Sequence, residues 1–287
     1  YDNIGFLYLL NSNRMKKRKL DLAIISDVHL GTYGSHATEL YHYLNSIKPK
    51  TLVLNGDIID IWQFRKSYFP KAHLKVIKKI IDLASKGTKV YYITGNHDEL
   101  LRKFSDSFMG NFSIVDKLVL ELDGYKAWIF HGDVFDTSVQ HSKWIAKLGG
   151  LGYDYLILFN RFINWILNKL GKEPYSFSRK IKASVKKAVK HISDFENTAT
   201  ELAIEKGYEY VICGHIHEPK IVRKENKSGS VLYLNSGDWV ENLTALEYKK
   251  KRWKLYRYED FTEKEEDLFE MDDLINQQLV ASIIYKK

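Results

Sequence analysis

Seven residues of this chain could share one piece of chemistry: Asp27, His29, Asp57, Asn96, His131, His215 and His217. Imidazoles, carboxylates and one amide oxygen make more donors than a single ion needs, so two ions are expected. Mixed nitrogen and oxygen ligation suits Mn, Fe, Zn, Co or Ni better than Ca or Mg. Two such ions ~3.5 to 4 Å apart form a clamp for in-line attack at phosphorus. Asp57, central in the order, is the natural bridge between them. Taken singly, each signal is weak, because Asp-x-His and Gly-Asp are common and a lone histidine at a strand end is more often structural. Their joint occurrence in one order carries the reading.

Each of these residues lies where a short apolar run stops. The runs are Ile24-Ile25-Ser26-Asp27-Val28-His29, Leu52-Val53-Leu54-Asn55-Gly56-Asp57, Val90 to Asp98, Ala127 to Asp133, and Tyr210 to His217. Val-, Ile-, Tyr- and Phe-rich runs of this length read as strands covered on both faces. Between them, Glu39 to Ser46 and Leu74 to Leu83 carry helical spacing, the first stopped by Pro49 and the second closed by Gly87. The resulting β-α-β-α-β order predicts right-handed crossovers and a largely parallel sheet that gathers ligands at the carboxyl ends of its strands. Asp123-Gly124 between Leu118–Leu122 and Lys126–Phe130 predicts a hairpin. Strands are also expected over Val231–Leu234, Leu243–Tyr248 and Trp253–Tyr258, the last two joined by a lysine-rich turn.

From Val134 to Ala199 the strand pattern gives way to helical periodicity, which reads as an insertion at 134–199 within a main domain at 20–260. Its first part, Trp144 to Leu170, is densely aromatic and aliphatic, with Phe159, Phe162 and Trp165 as candidate contacts of a ligand-binding cap. Its second part is basic, with Lys182 and Lys186 as candidate anion contacts. The bland alternatives are core helices and a solvated face. Residues 261–287 form an acidic, then weakly apolar tail. Met15 and the basic run after it resemble a natural start, so residues 1–14 are expected to be an upstream extension.

A net charge of +8 favours an anionic partner without choosing among nucleic acid, acidic lipid and phosphorylated metabolite. The single cysteine, Cys213, excludes an internal disulfide and reads as a buried, inert thiol. No run approaches the ~18 apolar residues of a spanning helix, so a soluble or membrane-peripheral chain is expected.

The blocks Asp27-x-His29, Gly56-Asp57, Gly95-Asn96-His97-Asp98, His131 and Gly214-His215-x-His217 resemble, in order, the signature of the calcineurin-like metallophosphoesterases. The resemblance implies a four-layer α/β/β/α sandwich with a helical cap insertion. It implies Asp27, His29 and His217 around one ion, Asn96, His131 and His215 around the other, and Asp57 between them, with Mn the first expectation for the metal. His97 is similar to the family's catalytic histidine, with Asp98 expected to orient it. The insertion and Asn235-Ser236-Gly237-Asp238-Trp239-Val240 narrow the resemblance to the UDP-2,3-diacylglucosamine pyrophosphatases of lipid A synthesis, many of which carry arginine where this chain has His97. That subgroup implies hydrolysis of a nucleotide-linked lipid at the inner face of the cytoplasmic membrane, with no nucleic-acid partner. The alternatives are a general phosphodiesterase or nuclease, and a non-catalytic scaffold on the same fold; the scaffold normally requires lost ligands, and every position here is filled.

Overall fold

The structure is a computed structural model that describes residues 17–62, 68–135 and 177–258, the side chains of 177–189 and 191 excepted. The chain divides into two compact units, residues 1–132 with 203–287, and residues 133–202.

Among the described residues the first unit has twelve strands: β1 (Arg18–Ile25), β2 (Ile47–Asn55), β3 (Lys89–Ile93), β4 (Ser107–Met109), β5 (Phe112–Val115), β6 (Lys117–Leu122), β7 (Tyr125–Phe130), β8 (Tyr210–Cys213), β9 (Lys220–Asn226), β10 (Gly229–Asn235), β11 (Thr244–Lys249) and β12 (Arg252–Arg257). Helices α1 (Ala37–Ser46) and α2 (Lys71–Ser85) alternate with the first three strands. One sheet has the order β12-β11-β1-β2-β3-β5-β4, and a second has β6-β7-β8-β10-β9. Parallel pairing joins β1, β2, β3 and β5 in the first sheet and β7, β8 and β10 in the second, so each sheet has a parallel centre and antiparallel edges.

The alternation along β1 explains how the layers stack. Ala23 and Ile25 point to one face, where they meet Leu40, Tyr43 and Leu44 of α1 and Val76, Ile80 and Leu83 of α2. Leu22 and Ile24 point to the other, against Ala127, Ile129, Ile212 and Leu234 of the second sheet. The central strands are buried on both faces, as their continuous apolar runs require. The architecture is an α/β sandwich.

Three local expectations need correction. Pro49 lies inside β2, and α1 ends earlier because Ile47 takes extended backbone (φ −115°, ψ 157°) and starts the next strand directly. In α2 the buried stripe is His73, Val76, Ile80 and Leu83, with Leu74 and Ile81 exposed. Leucine and isoleucine misled there because a histidine occupies a buried position. Strands β4, β5 and β9 were not expected; β4 and β5 are too short to show a period, and β9 is a polar edge strand.

Helix α3 spans Phe177–Glu205 continuously, all but its last three residues in the second unit, where the Phe135 and Phe195 rings lie 6.0 Å apart. Phe159, Phe162 and Trp165 lie outside the described residues, as do the side chains of Lys182 and Lys186. Among the described residues, no helix is long and apolar enough to cross a membrane.

Candidate metal centre

All seven candidate ligands follow the carboxyl ends of parallel strands, β1, β2, β3, β7 and β8, one to four residues past the last ladder position. Five of them, Asp27, His29, Asp57, His215 and His217, have positive φ between 52° and 67°. A non-glycine residue there costs about 1–3 kcal/mol and persists only where its surroundings hold it. Hydrogen bonds between the strand ends do the holding. Gly56 carbonyl accepts from Asp27 N–H at 3.0 Å, Asp57 carbonyl accepts from both Val28 and His29 N–H at 2.9 Å, and Gly214 N–H donates to His131 carbonyl at 2.9 Å.

The side chains that result converge. Among the described residues, ligand atoms of Asp27, His29 and His217 all lie within 4.8 Å of one another, and so do those of Asp57, His131 and His215. Asn96 follows β3 on the same side, and its Oδ1 is buried without a hydrogen-bond partner. Two glycines are required by this crowding. A Cβ on Gly95 would collide with Asp57 Oδ1, and one on Gly214 would lie 2.7 Å from Asp27 Oδ2.

The His131 imidazole is oriented by what its far nitrogen meets. His131 Nδ1–H donates to Asn55 carbonyl at 2.8 Å, which leaves Nε2 facing Asp57 Oδ2 at 3.3 Å. His217 Nε2 lies 3.1 Å from Asp27 Oδ1. A ligand histidine ordinarily uses its other ring nitrogen in this way, which fixes the tautomer and aims the lone pair. The carboxylates are oriented by backbone: Asp57 Oδ1 accepts from His97 N–H at 2.8 Å, and Asp27 Oδ2 from His215 N–H at 3.1 Å.

The charges are mutually dependent. Burial pushes the Asp27 carboxyl up, but the His217 and His131 imidazoles pull it further down, to about 2. Burial also raises Asp57, and the His131, His29 and His97 rings overcome it, holding that carboxyl well below the usual range. Burial lowers His217, yet Asp27 lifts it to about 9. Two buried carboxylates therefore stay ionised only because positive charge is concentrated on them. Together with the buried, unpartnered Asn96 oxygen, these residues form a donor set that divalent transition-metal ions fit.

The relation expected between His97 and Asp98 is not the one found. Asp98 lies behind the site: it accepts from Gly95 N–H at 2.6 Å, Ile58 N–H at 2.9 Å and the Tyr92 hydroxyl at 2.6 Å. Burial and the nearby Asp57 charge raise its carboxyl. His97 Nδ1 instead meets Asp60 Oδ2 at 2.9 Å, and His29 Nδ1 approaches the same oxygen at 3.4 Å. Consecutive residues at a chain turn send their side chains different ways, so adjacency in sequence misassigned the partner. Asp60 could have been found as the second carboxylate of Gly56-Asp57-Ile58-Ile59-Asp60. Burial lowers His97, and the Asp60 hydrogen bond with the Asp57 charge more than reverses this. His97 keeps 29% of its side-chain surface exposed and His217 keeps 35%, whereas Asp27, Asp57 and His131 are buried, so the cluster opens to solvent at the two former rings.

The profile of the calcineurin-like phosphoesterases matches residues 20–219. UDP-2,3-diacylglucosamine hydrolase of Aliivibrio fischeri (strain MJ11) is 25% identical over 253 residues, 84% of this chain and 99% of that protein. The protein of the same name from Nitrosococcus oceani is 26% identical over 231 residues, 77% of this chain and 88% of its own length. A solved structure described as a novel archaeal phosphodiesterase is 17% identical, covers 82% of this chain and 98% of that one, and superposes with a TM-score of 0.38. Converging strand-end ligands and the profile match over most of the chain agree: this protein belongs to the calcineurin-like phosphoesterases and is a metal-dependent hydrolase.

Proposed function

We propose that the chain hydrolyses the pyrophosphate bond of a nucleotide-linked lipid resembling UDP-2,3-diacylglucosamine, releasing a nucleoside monophosphate and a lipid sugar phosphate. The observation that carries this reading is end-to-end similarity to hydrolases of that name, over 84% of this chain and 99% of the Aliivibrio protein. Asp27, His29 and His217 would hold one ion and Asn96, His131 and His215 the other, with Asp57 shared and Mn the first expectation. When bound, the ions supply Lewis-acid polarisation of the phosphoryl oxygens.

The remaining work falls to the chain's own residues. His97, with Nδ1 held on Asp60, presents its other nitrogen at the open side of the cluster, where it can donate a proton to the departing oxygen. Its raised affinity for a proton favours the donor form. Asp98 fixes the backbone at Ile58 and Gly95 beneath Asp57 and Asn96. The segment between His131 and His215 would shelter the acyl chains, through Phe159, Phe162 and Trp165, with Lys182 and Lys186 near the diphosphate or the membrane surface.

Turnover of UDP-2,3-diacylglucosamine, a nucleoside diphosphate, an aryl phosphodiester and single-stranded DNA, each with added Mn2+, tests this. The expected result is preference for the diacylated substrate, with the monophosphate nucleotide as product. Cleavage of the soluble phosphodiester or DNA with none of the lipid would overturn the substrate and leave the metal-dependent hydrolase in place.

A further inference from the structure

Asp238 is a fully buried carboxylate one loop beyond the candidate ligands. Its Oδ1 accepts from the backbone N–H groups of Val240, Glu241 and Asn242. Its Oδ2 accepts from Asn242 Nδ2 at 2.6 Å and faces His217 Nδ1 at 3.7 Å, on the side of the ring opposite Asp27. A buried charge is costly unless its hydrogen-bond partners are supplied, and here they are supplied by one short loop.

That loop also grips both neighbours of Asp238. Asn242 Nδ2 donates to His217 carbonyl at 3.0 Å. Trp239 N–H donates to Asp27 carbonyl at 3.0 Å, and Ser26 Oγ donates to Gly237 carbonyl at 2.9 Å. The Trp239 ring is buried against Tyr43 at 5.5 Å, so the loop is anchored in the helix-side core. Asp27 and His217 come from strands in different sheets, and the loop Ser236–Thr244 ties the two together. The other group is held differently, His131 by Asn55 carbonyl and Asp57 by His97 N–H.

We infer that Asp238 is a positioning residue for one ion of the pair, the one assigned to Asp27, His29 and His217, acting through the His217 ring and the backbone at Asp27 and His217. The inference rests on the two-ion reading above. It predicts an asymmetry: disturbing Asp238 loosens one ion and spares the other. Carboxylates behind a metal-ligating histidine are typically worth about 10- to 100-fold in metal affinity.

The test is calorimetric titration of the metal-stripped full chain with Mn2+, with elemental analysis, for the wild type, Asp238→Asn and Leu40→Ala. Asp238→Asn keeps an oxygen for the three backbone donors but sets an amide N–H against Asn242 and the His217 ring. Leu40→Ala lowers stability from the same helix-side core that anchors Trp239 and serves as the control for a general loosening of the loop's support. The expected result is one dissociation constant raised about 10- to 100-fold in Asp238→Asn and the other unchanged, with both unchanged in Leu40→Ala despite a lower melting temperature. If Asp238→Asn does not fold, Asn242→Ala removes the links to Asp238 and His217 carbonyl and should show the same asymmetry more weakly. Two ions of unchanged affinity in the variant that folds, or both weakened equally, or the same single ion weakened in Leu40→Ala, would overturn the inference alone. Fewer than two Mn2+ per wild-type chain would overturn the two-ion reading and this inference with it.

Discussion

Left-handed backbone at non-glycine residues occurs at both ends of the sheets, and the two ends deal with it differently. At the carboxyl ends of the parallel strands it falls on Asp27, His29, Asp57, His215 and His217. At the far end it falls on Asp123 (φ 53°) in the β6–β7 turn and on Lys250 (φ 49°) and Lys251 (φ 63°) in the β11–β12 turn. Each of those turns has two central residues, both at positive φ, which is the hairpin geometry that matches strand twist. Ladder pairing compensates the cost locally there. At the ligand end the compensation is collective, supplied by side chains from both sheets converging on shared charge. Strain falls on turn residues alone at one end and mainly on the converging side chains at the other, where Leu243 just before β11 is also at positive φ.

The hardest way to break this contrast is to remove the shared centre. Asp57→Ala leaves the left-handed backbone in place and deletes the carboxylate that faces His131 and accepts from His97 N–H. The expected outcome is loss of both ions by elemental analysis and of turnover to background. Two metals per chain in this variant would show that Asp57 is not shared.

His97→Ala should separate metal content from rate. His97 is in neither of the two groups assigned to the ions, although its ring also clusters with His29 and Asp60, so two ions are expected to remain while turnover falls by roughly 10² to 10⁴, the usual worth of a positioned acid or base. The loss should be smaller for aryl than for alkyl leaving groups. An equal loss on both would count against proton donation and favour charge stabilisation alone.

Gly95→Ala probes crowding without replacing a candidate ligand. Its added methyl must displace Asp57 Oδ1 or the Asp57 backbone. A displacement approaching 1 Å at a reacting centre costs on the order of 10² in rate. Turnover should fall by about that factor with a smaller change in melting temperature, and wild-type kinetics would mean that the cluster yields freely.

How much of this was legible in the sequence follows from the same contrast. The convergence could be read because strand ends are marked by apolar runs that stop at Asp, Asn or His, and the parallel strands carry those side chains to one end of the sheets. The central parallel sheet was legible for the same reason. Asp60 was not, since a carboxylate that holds an imidazole from the side has no periodicity, and His97-Asp98 offered a nearer but misdirected pair. The buried stripe of α2 was misread because His73 packs inward, its Nδ1 accepting from Gly31 N–H at 2.9 Å. Nor could the sequence show that five ligands share one backbone region, because positive φ at Asp or His leaves no mark in composition.

The smallest effect expected is the most direct test of the contrast. Lys251 occupies the second central position of the β11–β12 turn, where glycine is preferred and lysine has no side-chain compensation for positive φ. Relieving a left-handed residue gains about 1–2 kcal/mol, and glycine returns about 0.5–1 kcal/mol of that through the greater freedom of the unfolded chain. Lys251→Gly should therefore stabilise by about 0.5–1 kcal/mol and raise the melting temperature by roughly 1–4 °C, with Mn2+ stoichiometry and turnover unchanged. His215→Gly relieves the same backbone at φ 67° but removes an imidazole from the Asp57, His131 and His215 group. Its expected signature is a fall in Mn2+ per chain whatever the melting temperature does. If Lys251→Gly lowered the melting temperature, the turn would not be carrying the cost assigned to it. If His215→Gly kept two ions, the ligand end would be compensating its strain without its ligands, and the distinction between the two ends would be lost.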